Sequence, residues 1–146
     1  MSVHGRISLG IVLCLLLGSL EGWPGATSPE FRQSPASRLL IVWTSADRDV
    51  ALNMVTMYTY NATKSGWWDK IRFIVWGPSS RLLAENTEIQ KEILRMKDAG
   101  VELVACKACA DRYGVSESLE KLGLVVKYVG QDLTDMLKQG WVTLTF

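Results

Sequence analysis

Five short apolar runs punctuate the chain: Arg38 to Thr44 (RLLIVWT), Ile71 to Trp76 (IRFIVW), Val101 to Ala105 (VELVA), Leu124 to Val129, and Trp141 to Phe146, with helical segments between them. Runs this short and this continuously apolar suit strands buried on both faces of a parallel sheet. Parallel neighbours need crossover connections, and those lay helices over the sheet. The expected fold is single-domain α/β, a mostly parallel five-stranded sheet with helices on both faces, a three-layer sandwich with right-handed crossovers. A chain of 146 residues has room for one such core and no second.

The connecting segments carry their own punctuation. After SADRD, a capping cluster, Ala51, Met54, Val55, Met57 and Tyr58 predict a helix from about 47 to 64 that stops at Ser65-Gly66. A short helix is expected over 79 to 86. A longer one is expected over 88 to 99, with Ile89, Ile93, Leu94 and Met96 inward and Gly100 as its stop. SESLEKLG reads as a helix starting at a serine cap and ending at Gly123, and 134 to 139 as a last short helix.

Ahead of the first strand, residues 1 to 6 carry Arg6, and ISLGIVLCLLLGSL follows over 7 to 20 without a charge, the layout of a secretory signal. Residues 1 to 26 are therefore expected to be a signal peptide or short N-terminal anchor, with Cys14 an apolar filler inside it. Residues 27 to 37 form a Pro- and Ser-rich linker and 38 to 146 the domain. The expected location is exported, periplasmic or secreted, with membrane contact only through an uncleaved N-terminal segment.

Charge and histidine content narrow the chemistry. Sixteen Lys and Arg against fifteen Asp and Glu give a net charge of +1, without the basic field that nucleic acid demands, so no nucleic-acid partner is expected. The single histidine, His4, lies in the signal segment, which leaves the domain without imidazole for Ser-His-Asp or Cys-His catalysis or for a histidine metal site. Neither G-x-G-x-x-G nor G-x-x-x-x-G-K-[ST] occurs, so no nucleotide cofactor is indicated, and with two domain cysteines no four-cysteine metal site is expected either.

In open α/β sheets ligands meet the protein beyond the carboxyl ends of the strands, which singles out Ser45, Gly77-Pro78, Cys106 and Gly130-Gln131. Cys106 and Cys109, spaced Cys-Lys-Ala-Cys, stand at the end of the third strand. A thiol at a helix start meets free backbone N–H groups, and Lys107 and Arg112 are candidate anion-stabilising neighbours. Such surroundings can pull a cysteine from about 8.5 into the range of about 3.5 to 7.5. The same pair would also suit an inert disulfide or plain apolar packing. Asn61-Ala62-Thr63 matches a glycosylation pattern but falls on a helix and carries no functional weight here. Trp67-Trp68 sits in a turn, where exposure and subunit contact are expected, whereas the strand tryptophans are expected in the core.

Gly100-Val-Glu-Leu-Val-Ala-Cys106-Lys-Ala-Cys-Ala-Asp-Arg-Tyr-Gly114-Val115 resembles the strand, active cysteine, alanine-rich helix start and glycine-valine break of the DsrE/DsrF family of sulfur-relay proteins, which includes TusD-type sulfurtransferase subunits and YchN-like proteins. Val126 to Leu133 and the apolar last strand add weaker support, and the resemblance extends over 38 to 146. It implies a flavodoxin-like or DsrE-like sandwich in which Cys106 accepts sulfane sulfur as a persulfide and hands it to a partner thiol. Cys109 departs from relatives that carry a small apolar residue there, and is the candidate resolving thiol. The resemblance further implies a homotrimer or homohexamer, with a sulfur donor or acceptor protein as partner. A non-catalytic oligomeric binding module with incidental cysteines is the competing reading. A thioredoxin-like oxidoreductase fits less well, because its Cys-x-x-Cys follows an early strand of a mixed sheet.

Overall fold

The computed structural model describes residues 37–146; the expected signal segment and almost all of the linker lie outside the described residues. The strands are β1 (Arg38–Trp43), β2 (Lys70–Val75), β3 (Glu102–Cys106), β4 (Val125–Lys127) and β5 (Val142–Thr145). They form one all-parallel sheet in the order β4-β3-β2-β1-β5. Each apolar run of the sequence became a strand, and β4 is shorter than its run.

That order dictates where the helices go. From β1 to β4 the chain steps always in the same direction, so right-handed crossovers place every intervening helix on one face. These are α1 (Arg48–Val50), a π-helical stretch (Ala51–Thr56), α2 (Met57–Lys64), α3 (Ser79–Glu85), α4 (Thr87–Asp98), α5 (Lys107–Tyr113) and α6 (Ser116–Lys121). Only the return from β4 to β5 crosses the other face, through α7 (Gly130–Lys138). The two cores follow suit. Leu39, Ile41, Trp43, Phe73, Val75, Leu103 and Ala105 pack beneath the first group of helices. Leu40, Val42, Ile74, Val104 and Cys106 face α7 through Val129, Leu133 and Met136.

Asp47 caps the first helix by accepting from the N–H groups of Asp49 and Val50, as its place in the capping cluster suggests. The apolar face of that helix is not the one expected. Ala51, Val55, Thr56, Thr59 and Ala62 are buried, while Met54 and Met57 are about half exposed at 52 % and 54 %. The π turn is the reason: it bonds i to i+5 and brings Ala51 and Thr56 into line, and the Thr56 hydroxyl donates to the Ala51 carbonyl at 3.0 Å.

In α4 the inward stripe is Ile89, Ile93 and Met96, an i, i+4, i+7 series, and Leu94 lies off it in solvent. The Ser116 hydroxyl does not cap α6; it donates to Asp111 at 2.6 Å, and Val115 is the N-cap residue. Helix α7 begins at Gly130, ahead of the expected 134. Trp43 and Trp141 are buried, Trp67 is exposed, and the Trp68 indole N–H donates to the Tyr58 hydroxyl at 3.2 Å.

Candidate functional site at the end of the third strand

The strand order creates one place where neighbouring strands send their following segments to opposite faces. Past β3 the chain turns into α5 on the crowded face, and past β4 it turns into α7 on the other. A crevice at the carboxyl ends of two such strands is where α/β sheets hold ligands. Cys106 is the last residue of β3, directly in register with Lys127, the last residue of β4. The sheet's alternation turns its side chain to the α7 face, where it is 5 % exposed.

Cys106 is also the N-cap residue of α5, with extended backbone and no side-chain capping bond, so Cys109 falls at the third helical position. An N-cap side chain and one at the third helical position lie on the same side of a helix start, the relation that capping boxes exploit. Both sulfurs are free thiols, Cys106 buried and Cys109 half-buried against the same apolar cluster, together with Trp76 and Leu133. Burial pushes the Cys109 thiol up, and the neighbouring Cys106 thiol pushes the same way. The Gly77 backbone N–H and, more weakly, the Arg112 charge oppose this. Gly77 reaches that position because the chain leaves β2 through a turn at φ 75°, open to glycine at little cost.

The two basic residues expected to serve the anion are placed differently. The Lys107 ammonium pairs with Asp111 at 2.9 Å, one turn along α5 and away from the sulfurs. That bond raises the Lys107 ammonium above its usual range, while hydrogen bonds from Ser116 and Lys107 hold the Asp111 carboxyl low. Arg112 is exposed and bears on Cys109. Lys127 is paired with Asp132 of α7. The surroundings of Cys106 are therefore apolar and sulfur-bearing.

The same face holds a cleft of about 450 Å³, lined by Arg38, Lys70 and Arg72 of β1 and β2, by Lys127 at the end of β4, and by Met136 and Trp141 among others, and neither cysteine lines it. Arg38 and Arg72 both lie over the Trp141 ring, at 5.2 and 5.9 Å from its centroid. Glu102 bridges Lys70 at 2.6 Å and Arg72 at 2.5 Å. We assign the site to the cysteines, because among the described residues only they carry thiols.

Sequence reasoning placed Cys106 and Cys109 correctly at a strand end, and flagged Gly77 for its position there without linking it to Cys109. The packing of Trp76 and Leu133 around the thiols went unread, because it depends on which face each crossover takes. Among the described residues no group of three or more His, Cys, Asp or Glu is placed to hold a metal ion. None of their helices is long and apolar enough to cross a membrane.

Comparison with solved structures finds a conserved protein of unknown function from Bacteroides thetaiotaomicron, 39 % identical, with a TM-score of 0.73, over 75 % of this chain and 95 % of that one. A protein of unknown function from Methanobacterium thermoautotrophicum shares the fold at 15 % identity, with a TM-score of 0.64, over 75 % of this chain and 99 % of that one. Comparison with curated proteins gives no match. The sequence matches the DsrE/DsrF-like family over residues 40–146, which includes every strand but the first two residues of β1 and all the helices described above, and the chain belongs to that family.

Proposed function

We propose that this protein handles sulfur: Cys106 accepts sulfane sulfur as a persulfide and relays it to a partner thiol, with Cys109 as the resolving thiol. The observation that carries this reading is the contact between two free thiols at the β3–β4 crevice of a DsrE/DsrF-like chain. In loading, the Cys106 thiolate attacks the outer sulfur of a donor persulfide. The donor's S–S bond breaks, the outer sulfur passes to Cys106 with the proton it carried, and the donor leaves as a thiolate. In resolution, Cys109 attacks the Cys106 sulfur bonded to the strand, expelling hydrosulfide and leaving a Cys106–Cys109 disulfide, which a dithiol reductant returns to two thiols. The family is consistent with sulfur relay.

The N-terminal segment supports an exported protein, periplasmic or secreted, whose acceptor lies outside the cytoplasm. The thinly covered α7 face and exposed Trp67 support a homotrimer or homohexamer with Cys106 near a subunit boundary. Mass spectrometry after incubation with inorganic polysulfide tests the assignment. Cys109→Ser, which cannot resolve the persulfide, gains one sulfur atom and Cys106→Ser does not; no gain in Cys109→Ser, or an equal gain in both, overturns it.

The burial of Cys106 favours a second reading, an oligomeric binding module without thiol chemistry. Alkylation of Cys106 at the ordinary rate, with an apparent pKa of about 8.5, would favour that alternative.

A further inference from the structure

The first residues of β1 and β2, Arg38 and Lys70, stand in register, and Arg72 follows two positions along β2, in register with Glu102 of β3. Strand alternation turns all four side chains to the α7 face. Three cations are thereby gathered beside one carboxylate. Glu102 binds Lys70 and Arg72, and among the described residues no carboxylate pairs with Arg38. Like charges at neighbouring positions of a sheet oppose folding, so stability alone does not account for the grouping.

The Arg38 guanidinium is nonetheless held in place. It lies over the Trp141 ring, and its terminal nitrogens donate to the Gln139 carbonyl at 3.0 Å and the Gln139 side-chain oxygen at 3.4 Å, at the end of α7. Arg72 lies over the same ring, with its Nε and one terminal nitrogen on Glu102. A guanidinium carries five N–H groups, so Arg38 has donors left after these bonds. Both arginines line the cleft of about 450 Å³, a volume within the range of small-molecule pockets. We propose that this cleft binds a small oxyanion, a carboxylate or a phosphate ester, with Arg38 as its anchor and Lys70 and Arg72 beside it. The site stands apart from the sulfur chemistry, since neither cysteine lines the cleft.

The wall contributed by α7 limits what can enter. Asp132 and Asp135 also line the cleft; Lys127 pairs with Asp132, and Asp135 accepts from the neutral Gln131 amide at 2.8 Å. A long polyanion would bring its charge against these carboxylates. A compact ligand with a single acidic end keeps that end on the arginines, whose planar forks match paired oxygens. Because Gln139, Glu102 and the Trp141 ring fix the guanidinium groups beforehand, binding orders little of the protein.

The test is an NMR titration of the full chain that follows the Trp141 indole N–H, with lactate and with glycerol 3-phosphate as probes at constant ionic strength. The signal moves along a saturating curve with at least one of them; lactate alone identifies a carboxylate site, glycerol 3-phosphate alone a phosphate-ester site. Arg38→Gln, which keeps a hydrogen-bonding partner for Gln139, weakens binding at least about tenfold. Asp135→Asn, at an exposed position of α7, tightens it about twofold by removing a like charge. No saturating shift with either probe in wild type and Asp135→Asn, or equal affinity in wild type and Arg38→Gln, overturns the proposal. If Arg38→Gln loses its native spectrum, Asp135→Asn and Lys70→Gln decide: tighter binding in the first and weaker in the second uphold the site, and any other pair of results overturns it.

Discussion

The Ser79 hydroxyl donates to the Trp43 carbonyl at 2.6 Å, joining the first turn of α3 to the last residue of β1 across the end of β2. The same oxygen accepts the Trp76 N–H at 3.2 Å, and Ser79 is fully buried. The carboxyl end of the sheet, where Gly77 meets Cys109, is thus knotted by a side chain with no chemistry of its own. Ser79→Ala should destabilise the protein by about 1 kcal/mol, near the mean for a buried hydrogen bond, since the Trp43 carbonyl keeps the Trp76 N–H at 2.9 Å. Urea unfolding measures it; an unchanged midpoint would show that the bond adds nothing.

Among the described residues helix α7 is the one helix that covers its face, and Met136 is its most deeply placed side chain, 4 % exposed. Met136→Ala should cost about 2 to 4 kcal/mol and at the same time speed the reaction of Cys106 with an aromatic disulfide. The two effects belong together: a stability loss without faster labelling would mean that α7 does not control access to the thiol.

Glu102 gives the acid limb of the stability curve. Burial pushes its carboxyl up, yet hydrogen bonds from Lys70 and Arg72 outweigh that and hold it below the usual carboxylate range. A group with a lowered folded value stabilises above its unfolded value, and that contribution is lost as pH falls through the folded one. Glu102→Gln should therefore lower Tm at neutral pH and narrow the gap to wild type as the solution is made acidic. The effect is small, because the carboxylate is 39 % exposed. Thermal melts across that range check it, and a gap that widens in acid contradicts it.

Self-association is tested by light scattering on the domain from residue 38 at micromolar concentration. The expected mass is several times the protomer, and a clean monomer removes the subunit-boundary placement of Cys106. Trp67→Ser, replacing a side chain 57 % exposed, should weaken the assembly without unfolding the protomer.

The strands were legible in the sequence because a parallel strand covered on both faces must be apolar at nearly every position, as Leu39 to Trp43 are. The helices were less so. Met54 and Met57 fit an α-helical stripe only if the helix keeps one pitch, and the π turn at Ala51–Thr56 broke that assumption. Ser116 looked like a cap, yet Asp111 captured its hydroxyl from five residues upstream. At the site, the position of Cys106 followed from its place at a strand end. Its burial followed from something a linear pattern does not hold, namely that β4 lies beyond β3 and α7 must return across the opposite face.

The placement of β5 beside β1 also matters before the protein is whole. Leu39 to Val42 pair on one side with β2, made soon after them, and on the other with Val142 to Thr145, made only after all the other strands. Until Val142 to Thr145 are made, β1 therefore presents an unpaired apolar edge, the kind of template to which a neighbouring nascent chain can add a strand. Chains cut short ahead of Val142 should aggregate rather than fold, so for this protein the length of time spent incomplete is itself a hazard that a holdase binding extended apolar segments would relieve.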